Sequence, residues 1–432
     1  MAERGNWHSK HGSRPRGSDA LFAVVLDAKV RQSLTAVRSL GRNGSLIGAV
    51  ECYPGRAVPT FWSRSCAASA RVPDPSRPEC FVDALVTLLD ERPARVLLVS
   101  GDGSADAIST NRAALEQRVA VALAPAASLD LAFDKARTLE LAGAIGVAVP
   151  RLVRVSDATA IEAAVDEIGL PAVIKPTRSW LRGRRGARRV TVRPALTRSG
   201  AVAACRDVLD DGGELLIQEF ATGRRESMTL LRARGKIVAE FAHVTHRAIP
   251  GLGGDGIVRE SIPVPDDIGS DARSLIDAMD LEGYSEVEFR RDSAGRPLLM
   301  EVNPRLAASL EVAVRAGVDF PALIARWALG DHIDVQRGYR VGLKLRWLGG
   351  DLAWLGSALG HRAVGEPDAT SGSIAVKTFV RDFTRRSAYD FVDREDLMPA
   401  GVAVGAMLAR EMRNTAARVG HPHIRAARRE RH

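Results

Sequence analysis

Cysteine, lysine and aromatic residues are all scarce in this chain. The four cysteines, Cys52, Cys66, Cys80 and Cys205, form no CxxC pair and no metal-ligand spacing. A disulfide framework and a thiolate zinc site are therefore excluded, and the cysteines read as free thiols of a reducing cytoplasm, the expected location. No run reaches the ~18–20 uninterrupted apolar residues that a membrane span needs, so no membrane partner is expected. The first stretch, 1–18, is polar and basic with no apolar segment behind it; it reads as a disordered leader rather than a signal peptide. Only seven of the 61 basic residues are lysine, so a lysine inside a motif is informative.

What is present is an ordinary globular composition over 432 residues, enough for two or three packed units. The net charge of +9 gathers in the leader, in the run Arg178–Arg189 and in the tail Ile424–His432. Tails of that kind are solvated arms, and the central run has another explanation below. Both count against nucleic acid as the partner.

Apolar runs at Leu21–Leu26, Leu46–Val50, Val96–Val99 and Val119–Leu123 suit buried strands. Helical spacing at Ser33–Leu40, Phe81–Leu89 and Thr110–Arg118 alternates with them. The alternation predicts a parallel, doubly wound sheet over 19–126, with ligands at the strand ends near Asp27 and Gly101–Gly103. The Gly-Asp-Gly there reads equally well as a tight turn into the next helix. From Asp134 the pattern becomes α+β. Helices are expected at Asp134–Ala144, Asp157–Ile168 (capped by Ser156), Arg198–Leu209 and Ser270–Met279. Strands are expected at Ala172–Lys175, Arg189–Val192, Glu214–Phe220, Ser227–Ala233, Lys236–Val244, Glu286–Arg291 and Leu298–Val302. Residues 334–432 read as an appended, mostly helical region with a basic tail.

The strongest chemistry lies in the hairpin YSEVEFRRDSAGRPLLMEVNPR, 284–305. A four-residue loop at Ser293–Arg296 puts Glu288 opposite Glu301 and Glu286 opposite Asn303, on one face. Opposed like charges repel, so such a pair calls for a cation between them, and hard oxygen donors suit Mg²⁺. The other readings are a solvated outer face or a slipped register. Val287, Phe289, Met300 and Val302 supply an apolar far face that fixes the register.

Glu288 followed by Glu301-Val302-Asn303-Pro304-Arg305 resembles the metal-binding signature of the ATP-grasp superfamily, as in biotin carboxylase, carbamoyl-phosphate synthetase and D-alanine–D-alanine ligase. The resemblance implies an ATP-grasp domain over 127–333 with a moving lid at 152–218, behind a Rossmann-like domain. It implies that Glu288, Glu301 and Asn303 hold Mg²⁺ (or Mn²⁺) on the ATP phosphates and that Arg305 stabilises an acyl phosphate. Asp134-Lys135 and Pro171-Ala-Val-Ile-Lys175-Pro176 resemble the segments carrying the two ATP lysines. TRSWLRGRRGARR, with Gly183 and Gly186, takes the place of the phosphate loop, though bulkier and more basic than usual. Glu219 and Phe220 fall where adenine is met, and Glu226 where ribose is bound. His243, His246, Gly251–Gly256 and Arg259 resemble the segment lining the acceptor site, and Arg259 is a catalytic candidate with Lys175 and Arg305. The implied enzyme is a Mg-ATP-dependent carboxylate–amine ligase acting on small molecules, and a homodimer is compatible with it. A carboxylase, a small-molecule kinase or a non-catalytic nucleotide-binding regulator would use the same site.

Overall fold

The structure is a computed structural model and describes residues 6–9, 20–42, 44–55, 57–250, 254–359, 372–384 and 387–419. The tail Ile424–His432, most of the leader and 251–253 of the glycine segment lie outside these. Within the leader, Trp7 is packed, its Nε1 donating to Leu88 O at 2.9 Å, and His8–Ser9 forms an edge strand. That part of the leader is thus built into the fold.

Short aliphatic runs, apolar on both sides, make the first sheet. Its strands are β1 (His8–Ser9), β2 (Leu21–Val25), β3 (Ile47–Glu51), β4 (Cys66–Arg71), β5 (Ala94–Leu98) and β6 (Ala120–Val121). The order is β1-β4-β3-β2-β5-β6, parallel except for β1. Helix α1 (Arg31–Gly41) covers one face and α2 (Pro78–Glu91) the other, so alternate residues of β2 enter two different cores. The sequence reading missed β4, whose Cys66-Ala-Ala-Ser-Ala-Arg71 lacks branched residues. The helix expected near Thr110–Arg118 is instead two, α3 (Asp102–Thr110) and α4 (Arg112–Glu116), and α3 begins inside the Gly-Asp-Gly. Then come α5 (Ala126–Phe133) and α6 (Lys135–Ala144), the latter capped by Asp134, whose side chain accepts from Ala136 and Arg137 N–H.

A four-stranded sheet follows, in the order β11-β8-β12-β7: β7 (Leu152–Val155), β8 (Ala172–Pro176), β11 (Arg193–Ala195) and β12 (Leu215–Glu219). Helices α7 (Ile161–Ile168) and α8 (Arg198–Leu209) back it with a small core of its own. Asp157, not Ser156, caps the turn before α7, accepting from Thr159 N. A separate hairpin, β9 (Trp180–Gly183) with β10 (Gly186–Arg189), carries the basic run; of the strand expected at Arg189–Val192 only Arg189 is in a strand, at the end of β10, and 190–192 lead on to β11.

The third sheet has seven strands in the order β17-β16-β13-β14-β15-β18-β19. They are β13 (Arg225–Ala233), β14 (Lys236–Ile249), β15 (Asp255–Ile262), β16 (Gly283–Arg291), β17 (Pro297–Asn303), β18 (Lys344–Arg346) and β19 (Ala388–Tyr389). Helix α9 (Asp266–Ala278) packs Ile268, Leu275 and Ile276 against Met228, Val287, Phe289 and Val302 on one face. Helices α10 (Leu310–Ala316) and α11 (Phe320–Ala328) follow β17. The C-terminal region is mostly helical, with α12 (Leu348–Leu359), α13 (Gly372–Thr384) and α14 (Met398–Val419). It is also part of the sheet, because β18 pairs with β15. Among the described residues no helix is long and apolar enough to cross a membrane.

Phe289 is fully buried on the face opposite the carboxylates. Phe289→Ala is expected to destabilise the fold by about 3–5 kcal/mol, read from denaturant unfolding.

Candidate active site

The hairpin β16–β17 places Glu288 opposite Glu301 and Glu286 opposite Asn303, as the sequence reading expected, but by a different route. The ladder begins at Arg291–Pro297, so the loop has five residues rather than four, which alone would shift the register by one. A bulge at Met300, between the pairs Phe289–Leu299 and Glu288–Glu301, restores it. The loop is held by Asp292, whose Oδ1 accepts from Ala294 and Arg296 N–H at 2.9 Å each.

Three hard donors converge on this face. Asn303 Nδ2 lies 3.3 Å from Glu288 Oε1 and 3.4 Å from Glu301 Oε1. Burial, then the neighbouring Glu301, pushes the Glu288 carboxyl up to about 7. Burial acts the same way on Glu301, but Lys135 and Lys175 outweigh it and hold Glu301 below the ordinary carboxylate range. Lys135, at the start of α6, lies 3.6 Å from Glu301 Oε2 and donates to Ser179 Oγ at 2.7 Å. Lys175, buried on β8, reaches over Met300 Sδ, and burial lowers its ammonium to about 8 against the pull of Glu301.

Among the described residues no group of three or more His, Cys, Asp or Glu side chains could hold a metal. The Asn303 amide completes the Glu288–Glu301 pair, and two carboxylates with one amide oxygen suit a magnesium ion. Asn303 Oδ1 presently accepts from Arg305 Nη2 at 3.4 Å, so coordination requires the amide to turn about its last torsion.

Arg305 closes the cluster from the other side. Its Nε donates to Asp102 Oδ1 at 2.5 Å, and both side chains are nearly buried. Asp102 stands at the first turn of α3, in the Gly-Asp-Gly that sequence reasoning left as a turn. Its position at the end of a parallel strand was the available signal. Asp27 at the neighbouring strand end is wholly engaged, accepting from Ser100 N, Gly101 N and Ser104 Oγ.

The basic hairpin lies beside this pocket. Gly183 packs so tightly that a Cβ there would stand 2.4 Å from Asp211 O, and Gly186 has φ +89°, which only glycine adopts freely. Asp211 gathers the loop, accepting from Arg184 N, Arg185 N and Arg188 Nε. Arg182 pairs with Asp106 at 2.6 Å, Arg178 with Asp130 at 2.5 Å and Arg189 with Asp102 at 3.7 Å. The pocket beneath is lined by Asp102, Lys135, Ser179, Trp180 and Asn303.

Other expected residues fall further out. Glu219, at the end of β12, accepts from Arg151 N at 2.9 Å and Arg151 Nε at 3.0 Å, and Phe220 lies under the Arg290 guanidinium at 5.2 Å. Glu226 is not brought to the cluster. It shares the far face with its partner Phe289 and is held by Arg224 at 2.8 Å and Arg291 at 2.6 Å. His246 is exposed and binds Glu260 at 2.7 Å. His243 and Arg259 are buried on the carboxylate face of β14 and β15, and Arg259 donates to Ala308 O and to Asp390.

Structures with this fold are known. N5-carboxyaminoimidazole synthetase from Staphylococcus aureus superposes with a TM-score of 0.58 at 15% identity, over 81% of this chain and 88% of that one. The biotin carboxylase–β,γ-ATP complex from Campylobacter jejuni gives 0.57 at 16% identity, over 75% and 74%. Residues 213–348 match the family described as "ATP-grasp in the biosynthetic pathway with Ter operon". The chain has an ATP-grasp fold. The ATP-grasp sequence signal extends to D-alanine–D-alanine ligase B of Xanthomonas campestris pv. campestris, 29% identical over 219 residues, 45% of this chain. The match spans 64% of that ligase, under two thirds of its length.

The raised Glu288 has a thermodynamic signature. Its folded pKa lies above its unfolded one, so its ionisation costs stability. The cost is absent below about pH 4 and full above about pH 7. In magnesium-free buffer Glu288→Gln is expected to raise stability by roughly 1–3 kcal/mol at pH 8 and by nothing at pH 4. Thermal melts at both pH values check this, and added Mg²⁺ should raise the melting temperature of the wild type alone.

Proposed function

We propose that this protein is a Mg-ATP-dependent ligase that activates a small-molecule carboxylate as an acyl phosphate and couples it to an amine, releasing ADP and phosphate. The observation that carries the reading is the Glu288–Glu301–Asn303 cluster, met by Lys135 and Lys175 on one side and Arg305 on the other. D-alanine–D-alanine ligase, to which the chain is similar, supports C–N bond formation.

Glu288, Glu301 and Asn303 would hold Mg²⁺ or Mn²⁺, which when bound draws charge from the phosphate oxygens. Lys135 and Lys175 would bind the phosphates of ATP. Lys175, with its proton only loosely held, suits a site where negative charge arrives with the ligand. The substrate carboxylate attacks the γ-phosphorus and ADP leaves. Arg305, released from Asp102, would then stabilise the acyl phosphate. The amine attacks the acyl carbon and phosphate departs. Gly183 and Gly186 let the hairpin backbone approach the phosphates, and Glu219 and Phe220 border the adenine. Closure of 152–218 would exclude water that hydrolyses the intermediate. A reducing, cytoplasmic setting fits the four free thiols.

ADP release from Mg-ATP, screened against pooled carboxylates with and without amines, tests the reading. ADP formation that requires both is expected. ADP that forms with bicarbonate and an acceptor would make the chain a carboxylase, and ADP with a phosphorylated product a kinase. Glu301→Gln is expected to lower turnover by on the order of 10²-fold or more while the circular dichroism spectrum is unchanged. Near-normal turnover in that variant would remove the metal assignment.

A further inference from the structure

Beyond the carboxylate cluster, the same face of the third sheet holds a concentration of buried positive charge. Arg259 on β15 is 2% exposed and lies 2.5 Å from Asp390 Oδ2. Arg31, at the first residue of α1, approaches the same oxygen at 3.6 Å, with its guanidinium 4.6 Å above the Trp347 ring. Arg225 on β13 acts on both Arg31 and His243. Arg31 and Arg259 thus share the buried Asp390, while Arg225 and Arg259 also face the buried Glu286, and some of the guanidinium N–H groups still lack a hydrogen bond. Arg31 Nη1, Arg259 Nε and His243 Nδ1 are buried with no hydrogen-bond partner among the described residues. A buried donor left without a hydrogen bond costs about 1–3 kcal/mol, more when charged, so Arg31 Nη1 and Arg259 Nε mark a place suited to an acceptor.

The backbone agrees. Helix α1 starts without a side-chain cap and with no acidic residue in its first turn, leaving an N-terminus that favours an anion. It follows β2, which lies between β3 and β5, where the strand order of the first sheet reverses. Burial and the neighbouring Arg259 lower the Arg31 guanidinium to about 10, and burial holds His243 neutral at about 3. Arg225, on the strand beside Glu288, joins this cluster to the carboxylate site, and Arg259 is its far end. Arg259 is three strands from Glu288, at about 4.8 Å per strand, on the side away from Lys135 and Lys175.

We infer that one substrate carries an anionic group besides the carboxylate being activated, and that Arg31, Arg225, Arg259 and His243 bind it at the α1 N-terminus. Asp390, from the C-terminal region, is a positioning residue that fixes Arg259. The group is a second carboxylate or a phosphate, and the inference rests on the ligase reading above.

Isothermal titration of the full chain, loaded with Mg-ADP, against succinate, inorganic phosphate and butyrate tests this. Succinate or phosphate is expected to bind at least about tenfold more tightly than butyrate, as charge-assisted hydrogen bonds require. Arg31→Gln is expected to reduce both to the butyrate level with Mg-ADP binding unchanged. Arg31→Lys, which keeps the charge but loses the fork, is expected to retain part of the preference. Preference for succinate identifies a carboxylate, and preference for phosphate a phosphorylated substrate. Equal binding of all three to the wild type, or an unchanged preference in both variants, overturns the inference. Failure of the wild type to bind Mg-ADP would instead overturn the ligase reading on which it stands.

Discussion

Two carboxylates facing each other across a pair of strands set the terms for everything around them. Glu288 and Glu301 are directly opposed, so each is penalised by the other's charge. The fold answers with cations drawn from three places in the chain: Lys135 from the start of α6, Lys175 from β8 and Arg305 from just beyond β17. In a chain with seven lysines, two stand here. The compensation is uneven, and that unevenness is useful. Glu301 has the lysines and stays ionised, whereas Glu288 is left reluctant to ionise until a further positive charge arrives. The site therefore stores an electrostatic deficit that a divalent ion would relieve.

Much of this was legible in the sequence, because alternation along β16 and β17 fixes which side chains share a face. Val287 and Phe289 fill the apolar core on one face, so Glu286 and Glu288 must share the other. The loop length was misjudged by one residue and the bulge at Met300 was not foreseen, and the two errors cancelled. Bulges depend on contacts across the sheet, which local pattern does not carry. For the same reason the face that Glu226 occupies could not be read from the sequence. Counting from β12 cannot show on which face β13 emerges, and the ladder with β16 puts Glu226 beside Phe289.

Residues brought in from far along the chain were the least legible. Asp102 meets Arg305 across 203 positions, and Asp390 meets Arg259 across 131. Neither belongs to a periodic pattern, so nothing local distinguishes it from other aspartates. The C-terminal region read as an appendage because its helices are amphipathic and its strands are only two or three residues long. Yet β18 lies in the seven-stranded sheet, and the turn after β19 supplies Asp390.

The lid arginines have a consequence of another kind. Arg182, Arg178 and Arg189 tie the β9–β10 hairpin and the turn before it to Asp106, Asp130 and Asp102 through pairs that are partly exposed. On the ligase reading proposed above, a nucleotide entering or leaving would part them. Partly exposed ion pairs are screened over a Debye length of about 8 Å at physiological ionic strength, and over less as salt rises. The hairpin is therefore fastened by bonds whose strength is set by the surrounding electrolyte, whereas the more buried Glu288–Glu301 pair is screened less. On that reading, exchange would be slower in dilute buffer and faster in concentrated salt.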